Sequence, residues 1–160
     1  MLIVRTPPLP IVAAVVAALQ AHGAVAAVGG SGLLAALGLV DSVRDWDVTT
    51  DAATQTVESA LAQVSGATVA PAASGDAGYA TRARFVVRGN DHEVDVLVGF
   101  ALLEEDQVVP LPTRVTRTWQ GLPIADPEVW LRAYRLLGRH ERADLLQRYL
   151  DEDAHRLPRR

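Results

Sequence analysis

The residue types best suited to chemistry fall within Val28–Asp51, which reads V-G-G-S-G-L-L-A-A-L-G-L-V-D-S-V-R-D-W-D-V-T-T-D. Side chains alternate along a strand, so Asp45 and Asp47 share one face while Trp46 and Val48 take the other. Two carboxylates about 5 Å apart repel by roughly 3 kcal/mol at an effective dielectric near 20. A fold keeps them together when a cation or an arginine neutralises them. Hard oxygens with no His or Cys beside them suit Mg2+ or Mn2+. The Gly29-Gly30-Ser31 turn feeds a helix start, where unpaired amides attract phosphate. A third carboxylate, Asp95, interrupts the apolar strand of His92-Glu93-Val94-Asp95-Val96-Leu97. The combination describes a site for a metal-bound triphosphate.

Composition narrows the alternatives. All 15 basic residues are arginine, which excludes a Schiff-base lysine, a P-loop lysine and a lysine general base. With no cysteine, thiol nucleophiles, disulfides and cysteine-zinc sites are excluded as well. A net charge of −4 argues against a strong nucleic-acid surface. The apolar run Ile11–Leu19 is far shorter than the ~20 residues a membrane span needs. Pro7, Pro8 and Pro10 interrupt any signal-peptide pattern, so a cytoplasmic location is expected.

These side chains need a scaffold, and 160 residues suit one domain with a sizeable core. A sheet-containing core over 1–124 and helices over 125–160 are expected. Ile11–Ala21 reads as a helix opened by Pro10, and Ala24–Val28 as a buried strand. A short helix Leu33–Leu37, a strand Arg44–Thr50 and a helix Ala53–Val64 follow. Pro71–Gly78 reads as a loop. Tyr79–Arg88 and His92–Gly99 form a hairpin about Gly89-Asn90-Asp91, and Val108–Leu111 is a further short strand. Asp126-Pro127-Glu128 opens a helix that stops at Gly138, and His140–Leu150 forms the last one. Pro158-Arg159-Arg160 reads as a solvated end. The alternation of helices and strands implies an α/β (α+β) fold with a mixed sheet.

Gly-Gly-Ser followed, after a short helix, by an Asp-x-Asp strand resembles the signature of the polymerase-beta-type nucleotidyltransferase superfamily. Arg44–Ala52 is similar to the head of CCA-adding and poly(A) polymerases. Those enzymes carry an Arg-Asp pair where this chain reads Ser31-Gly32-Leu33-Leu34, and a long helical body for which there is no room here. The closing run Pro127–Leu150 more closely resembles stand-alone antibiotic-type and toxin-type nucleotidyltransferases. The resemblance implies a nucleotidyltransferase fold with C-terminal helices. It implies Mg2+-dependent transfer of a nucleoside monophosphate from an NTP to a hydroxyl acceptor (a small molecule, a protein or RNA), with release of pyrophosphate. By position, Asp45 and Asp47 would hold the metals, and Asp95 would bind the metal at the acceptor and take its proton. Gly29, Gly30 and Ser31 would cradle the β- and γ-phosphates. Arg132, Arg135 and Arg139, at i, i+3 and i+7, would neutralise the triphosphate from one helix face.

Each role has a plainer rival. Asp45 and Asp47 would otherwise face solvent, paired with Arg82, Arg84 or Arg88; Asp95 would close an apolar face near the surface. The glycine turn would only open a helix, and the arginine stripe would be a solvated face. His92 reads as a surface residue; Trp46, Trp119 and Trp130 read as core or pocket walls. A serine-hydrolase elbow fails because Leu33 occupies the final glycine position. Two other readings remain: a catalytically silent nucleotide-binding module, and an interaction protein such as one component of a toxin–antitoxin pair, whose acceptor would be another macromolecule, with a protein partner.

Overall fold

The computed structural model describes residues 4–73, 78–89 and 92–156. Helix α1 (Leu9–Ala21) leads to the short strand β1 (Ala27–Gly29), which turns directly into α2 (Gly30–Ala36). Strand β2 (Trp46–Thr50), α3 (Thr54–Leu61), β3 (Thr68–Ala72), β4 (Ala83–Arg88) and β5 (Glu93–Val98) follow. Then come two hairpins, β6 (Ala101–Glu104) with β7 (Gln107–Pro110), and β8 (Val115–Trp119) with β9 (Leu122–Ala125). Two helices close the fold, α4 (Pro127–Leu136) and α5 (His140–Arg156).

Seven of these strands form one mixed sheet in the order β3-β4-β5-β2-β1-β9-β8, and β6 with β7 makes a separate ribbon. Strands β2 and β5 run parallel, as do β1 and β9; the other pairs in the sheet are antiparallel. One face of the sheet is the core. Val28, Trp46, Val48, Phe85, Val87, Val94 and Val96 are all buried there, in one cluster with α1 through Val12, Val15 and Leu19 and with α3 through Val57 and Leu61. Each such side chain contributes about 1.5–3 kcal/mol by leaving water. Beta-branched valines on every central strand also explain why these segments are strands.

Helix α4 starts where expected: the Asp126 carboxylate accepts a 2.9 Å hydrogen bond from the amide of Glu128, and Pro127 needs no partner in the first turn. Other expectations are corrected. Pro71 and Ala72 belong to β3 rather than to a loop, at a sheet edge where a proline is tolerated; Ser74–Ala77 of that loop lie outside the described residues. Strands β3, β6, β8 and β9 had no counterpart in the sequence reading, and α5 continues past Leu150 to Arg156. Residues 90 and 91 of the expected hairpin turn, and the tail 158–160, also lie outside the described residues. No helix among the described residues is long and apolar enough to cross a membrane.

Candidate active site

The second face of the sheet carries the carboxylates. In the β1–β2 register Gly29 sits opposite Asp47, and in the β2–β5 register Asp47 sits opposite Asp95. Residues directly opposite in adjacent strands project to the same side. Asp45 lies in the bend just before β2 and is exposed; Asp47 is half-buried. Asp45, Asp47 and Asp95 therefore line one cleft of about 590 Å3, together with Gly30 and Ser31. Trp46 and Val48 point into the core, fully buried.

The glycine turn is shaped by what it touches. Gly29 has extended backbone, φ −114°, but a Cβ there would collide with the indole of Trp130. Gly30 has φ +58°, and a Cβ there would collide with Oδ2 of Asp47. The turn thus brings α2 against the Asp47 carboxylate from one side and admits Trp130 of α4 from the other. Ser31 is buried, and its hydroxyl donates a long 3.4 Å hydrogen bond to the Asp45 carbonyl.

Electrostatics follow from this crowding. Burial first, then the charges of Asp95 and Asp45, pushes Asp47 up to about 7, against smaller opposing effects of Arg139 and Arg84. Asp95 is held differently. Nε and Nη2 of Arg84 both donate to its Oδ1, at 3.2 and 2.8 Å. That bond also raises the Arg84 pKa. The plainer expectation of an arginine partner is therefore met at Asp95, not at Asp45 or Asp47.

The arginine stripe is corrected. Helix α4 ends at Leu136, and Gly138 at φ +71° turns the chain away, so Arg139 does not continue the face of Arg132 and Arg135. Arg132 and Arg135 are exposed and not among the residues lining the cleft, and Arg135 bonds Gln147 of α5. Arg139 does line it, beside Arg142 of α5 and Arg44. Among the described residues none of these three forms an ion pair, whereas Arg84, Arg88 and Arg156 do.

Several cleft residues escaped the sequence reading. Arg142 reaches the cleft while donating to the Tyr134 hydroxyl at 3.4 Å and lying over its ring. Burial raises the Tyr134 pKa. Trp130, already expected as core or pocket wall, packs between Phe100 and Tyr134, with ring centroids 5.2 and 5.7 Å away and ring planes tilted by 34° and 55°, making an aromatic wall. The available signal was the aromatic spacing Trp130–Tyr134, one helical turn apart.

No family model matches the chain, and no curated protein matches it either. Solved structures do. The protein TM1012 from Thermotoga maritima, itself a candidate nucleotidyltransferase, superposes with a TM-score of 0.62 at 22% identity, over 90% of this chain and 92% of its own. ANT(2")-Ia, in complex with adenylyl-2"-tobramycin, gives 0.54 at 13% identity, over 88% of each chain. A solution structure of the antibiotic-resistance factor ANT(2'')-Ia gives 0.52 at 16%, over 91% and 95%. At such identities the likeness is one of fold, and the fold is that of the nucleotidyltransferases.

Proposed function

We propose that this chain transfers a nucleoside monophosphate from a nucleoside triphosphate to a hydroxyl acceptor. The observation that carries the reading is the register Gly29–Asp47–Asp95 across three neighbouring strands. It sets a glycine turn and two carboxylates side by side, with Asp45 at the margin and around them arginines that form no ion pair among the described residues. The nucleotidyltransferase fold supports the reading.

The donor set has to suit a divalent ion. Among the described residues no three acidic or imidazole groups stand close enough to hold an ion by themselves. Asp95 already gives one oxygen to Arg84. Mg2+ is commonly held by one or two carboxylates together with substrate phosphates, rather than by a cage of protein ligands. Asp45 and Asp47 fit that description, and Asp95 lines the same cleft; Mn2+ takes similar oxygens. The bound ion would offset charge on the phosphates during transfer.

The chain's own residues then divide the work. Ser31, the Gly30 and Ser31 amides, Arg139, Arg142 and Arg44 hold the β- and γ-phosphates at the glycine end of the cleft. The acceptor hydroxyl forms a bond to the α-phosphorus as the bond to the β-phosphate oxygen breaks, and pyrophosphate leaves. The hydroxyl proton passes to Asp95. The wall of Phe100, Trp130 and Tyr134 limits water at the reacting groups. ANT(2")-Ia with adenylyl-2"-tobramycin supports a small-molecule acceptor.

One observation favours a second reading, binding without turnover: Arg84 occupies Oδ1 of the carboxylate that would take the proton. Incubation with Mg-ATP and Mg-GTP and a panel of hydroxyl compounds separates the two. Pyrophosphate release that Asp95→Asn abolishes is the result expected of an enzyme. Saturable Mg-NTP binding with no pyrophosphate from any acceptor supports the silent module. Absence of Mg-NTP binding overturns both.

A further inference from the structure

The cleft runs across the sheet, and its two ends differ. At one end lie the glycine turn after β1 and Ser31, with Arg44 and Arg142 beside it, two arginines without ion-pair partners among the described residues. The carboxylates of β2 and β5 occupy the middle. At the other end, three strand spacings or about 14 Å from β1, β4 contributes Arg84, with Tyr79 and Leu97 alongside. If the triphosphate occupies the glycine end, the acceptor enters from the β4 end, because attacking and leaving oxygens lie on opposite sides of the phosphorus.

The β4 end has a definite chemistry. Arg84 spends Nε and one Nη2 hydrogen on a single oxygen of Asp95. A guanidinium has five donors, so three remain, and Nη1 has no acceptor among the described residues. Oδ2 of Asp95 likewise has no donor among them. The pair is only partly covered, with about a third of the Arg84 side chain and a quarter of the Asp95 side chain exposed. It therefore presents a hydroxyl-accepting oxygen next to a cationic fork suited to phosphate or carboxylate.

We infer that the acceptor is a small hydroxyl compound bearing an anionic group close to the reacting hydroxyl, and that Arg84 binds that group. The inference rests on the nucleotidyl-transfer reading of the same cleft. Asp95 Oδ2 receives the hydroxyl hydrogen bond while the free Nη1 side of Arg84 engages the phosphate or carboxylate oxygen. A polyamine acceptor such as tobramycin would bring its positive charges against Arg84 and is disfavoured.

The test is calorimetry on the full chain loaded with Mg2+ and a non-hydrolysable ATP analogue, titrated with ribose 5-phosphate, ribose, glycerate, glycerol and tobramycin. Both anionic compounds are expected to bind about tenfold or more tightly than their neutral counterparts, the effect of one charge-assisted hydrogen bond. Preference for only one of them tells phosphate from carboxylate as the recognised group. In Arg84→Gln the ratio of ribose 5-phosphate to ribose affinity is expected to collapse toward one, and Arg84→Lys to restore part of it. The ratio is taken within each variant, so a general weakening of the site does not imitate the effect. Equal binding of anionic and neutral compounds by the parent, tighter binding of tobramycin, or an unchanged ratio in Arg84→Gln overturns the inference while leaving nucleotidyl transfer standing. Failure of the Mg-nucleotide analogue itself to bind overturns the function, and the acceptor inference with it.

Discussion

The surroundings of Asp47 disfavour its charged form. Burial and two neighbouring carboxylates raise its pKa from 3.8 to about 7. Between those values the native state holds a proton that the unfolded chain has lost, so stability falls as pH rises from about 4 to 7 and then levels off. Asp47→Asn keeps the shape and removes the charge. At pH 8 without metal the variant should be more stable than the parent by on the order of 2–4 kcal/mol, and the two should converge near pH 4. Mg-ATP should raise the parent's melting temperature by mass action and leave the variant's unchanged. Thermal melts at pH 4, 6 and 8 decide this; a variant that melts lower at pH 8 and keeps its nucleotide shift removes Asp47 from the metal site. Gly30 is fixed by two constraints, its positive φ and its contact with Asp47. Gly30→Ala should therefore destabilise by about 1–3 kcal/mol and weaken nucleotide binding at the same time. Loss of stability with unaltered nucleotide affinity, read by urea titration and calorimetry, would separate the turn from the ligand.

At the level of elements, the end of α4 decides which arginines meet phosphate. Since the chain turns at Gly138, Arg139 and Arg142 border the cleft and Arg132 and Arg135 do not. Arg139→Ala with Arg142→Ala should weaken Mg-NTP binding, more at low salt than at high salt, because charge contacts open to solvent are screened over about 8–10 Å. The same pair of changes at Arg132 and Arg135 should leave affinity within about twofold at both salts. Equal losses in the two pairs would mean that the whole helix face serves the nucleotide. The sequence made α4 legible through its cap and its stop, yet not the direction taken afterwards, because Gly138 changes the helix axis and no periodicity spans it. The central strands were legible from their valines, and the common cleft of Asp45, Asp47 and Asp95 follows from alternation and pairing. The β8–β9 hairpin was missed for a physical reason: β8 is an edge strand whose side chains are mostly exposed, so Val115–Trp119 lacks an apolar alternation. Its turn at Gln120-Gly121, both at positive φ, was the available signal. The Arg84–Asp95 pair depends on the β4–β5 register, Val86 opposite Asp95. A one-residue slip of β4 against β5 would have sent Arg84 to the face opposite Asp95, and composition alone does not fix that register.

Over the whole molecule, the C-terminal helices meet the sheet at the site itself, and Trp130 is the joint. Its indole is buried, packs against Phe100 before β6 and against Tyr134, and occupies the space a side chain at residue 29 would need. The backbone of Gly29 is extended, so an alanine there is conformationally acceptable and only the indole forbids it. This makes the packing of helix on turn measurable as a coupling. Gly29→Ala alone should cost about 1–3 kcal/mol through overpacking, and Trp130→Ala alone about 3–5 kcal/mol through the cavity it leaves. In the double variant the new methyl group enters vacated space. Its cost should nearly vanish, giving a coupling of about 1–3 kcal/mol rather than additivity. Urea denaturation midpoints of the four proteins at fixed pH supply the cycle. Additive losses would mean that α4 and the glycine turn do not share that space in solution, and the cleft would then lack the wall on which its exclusion of water depends.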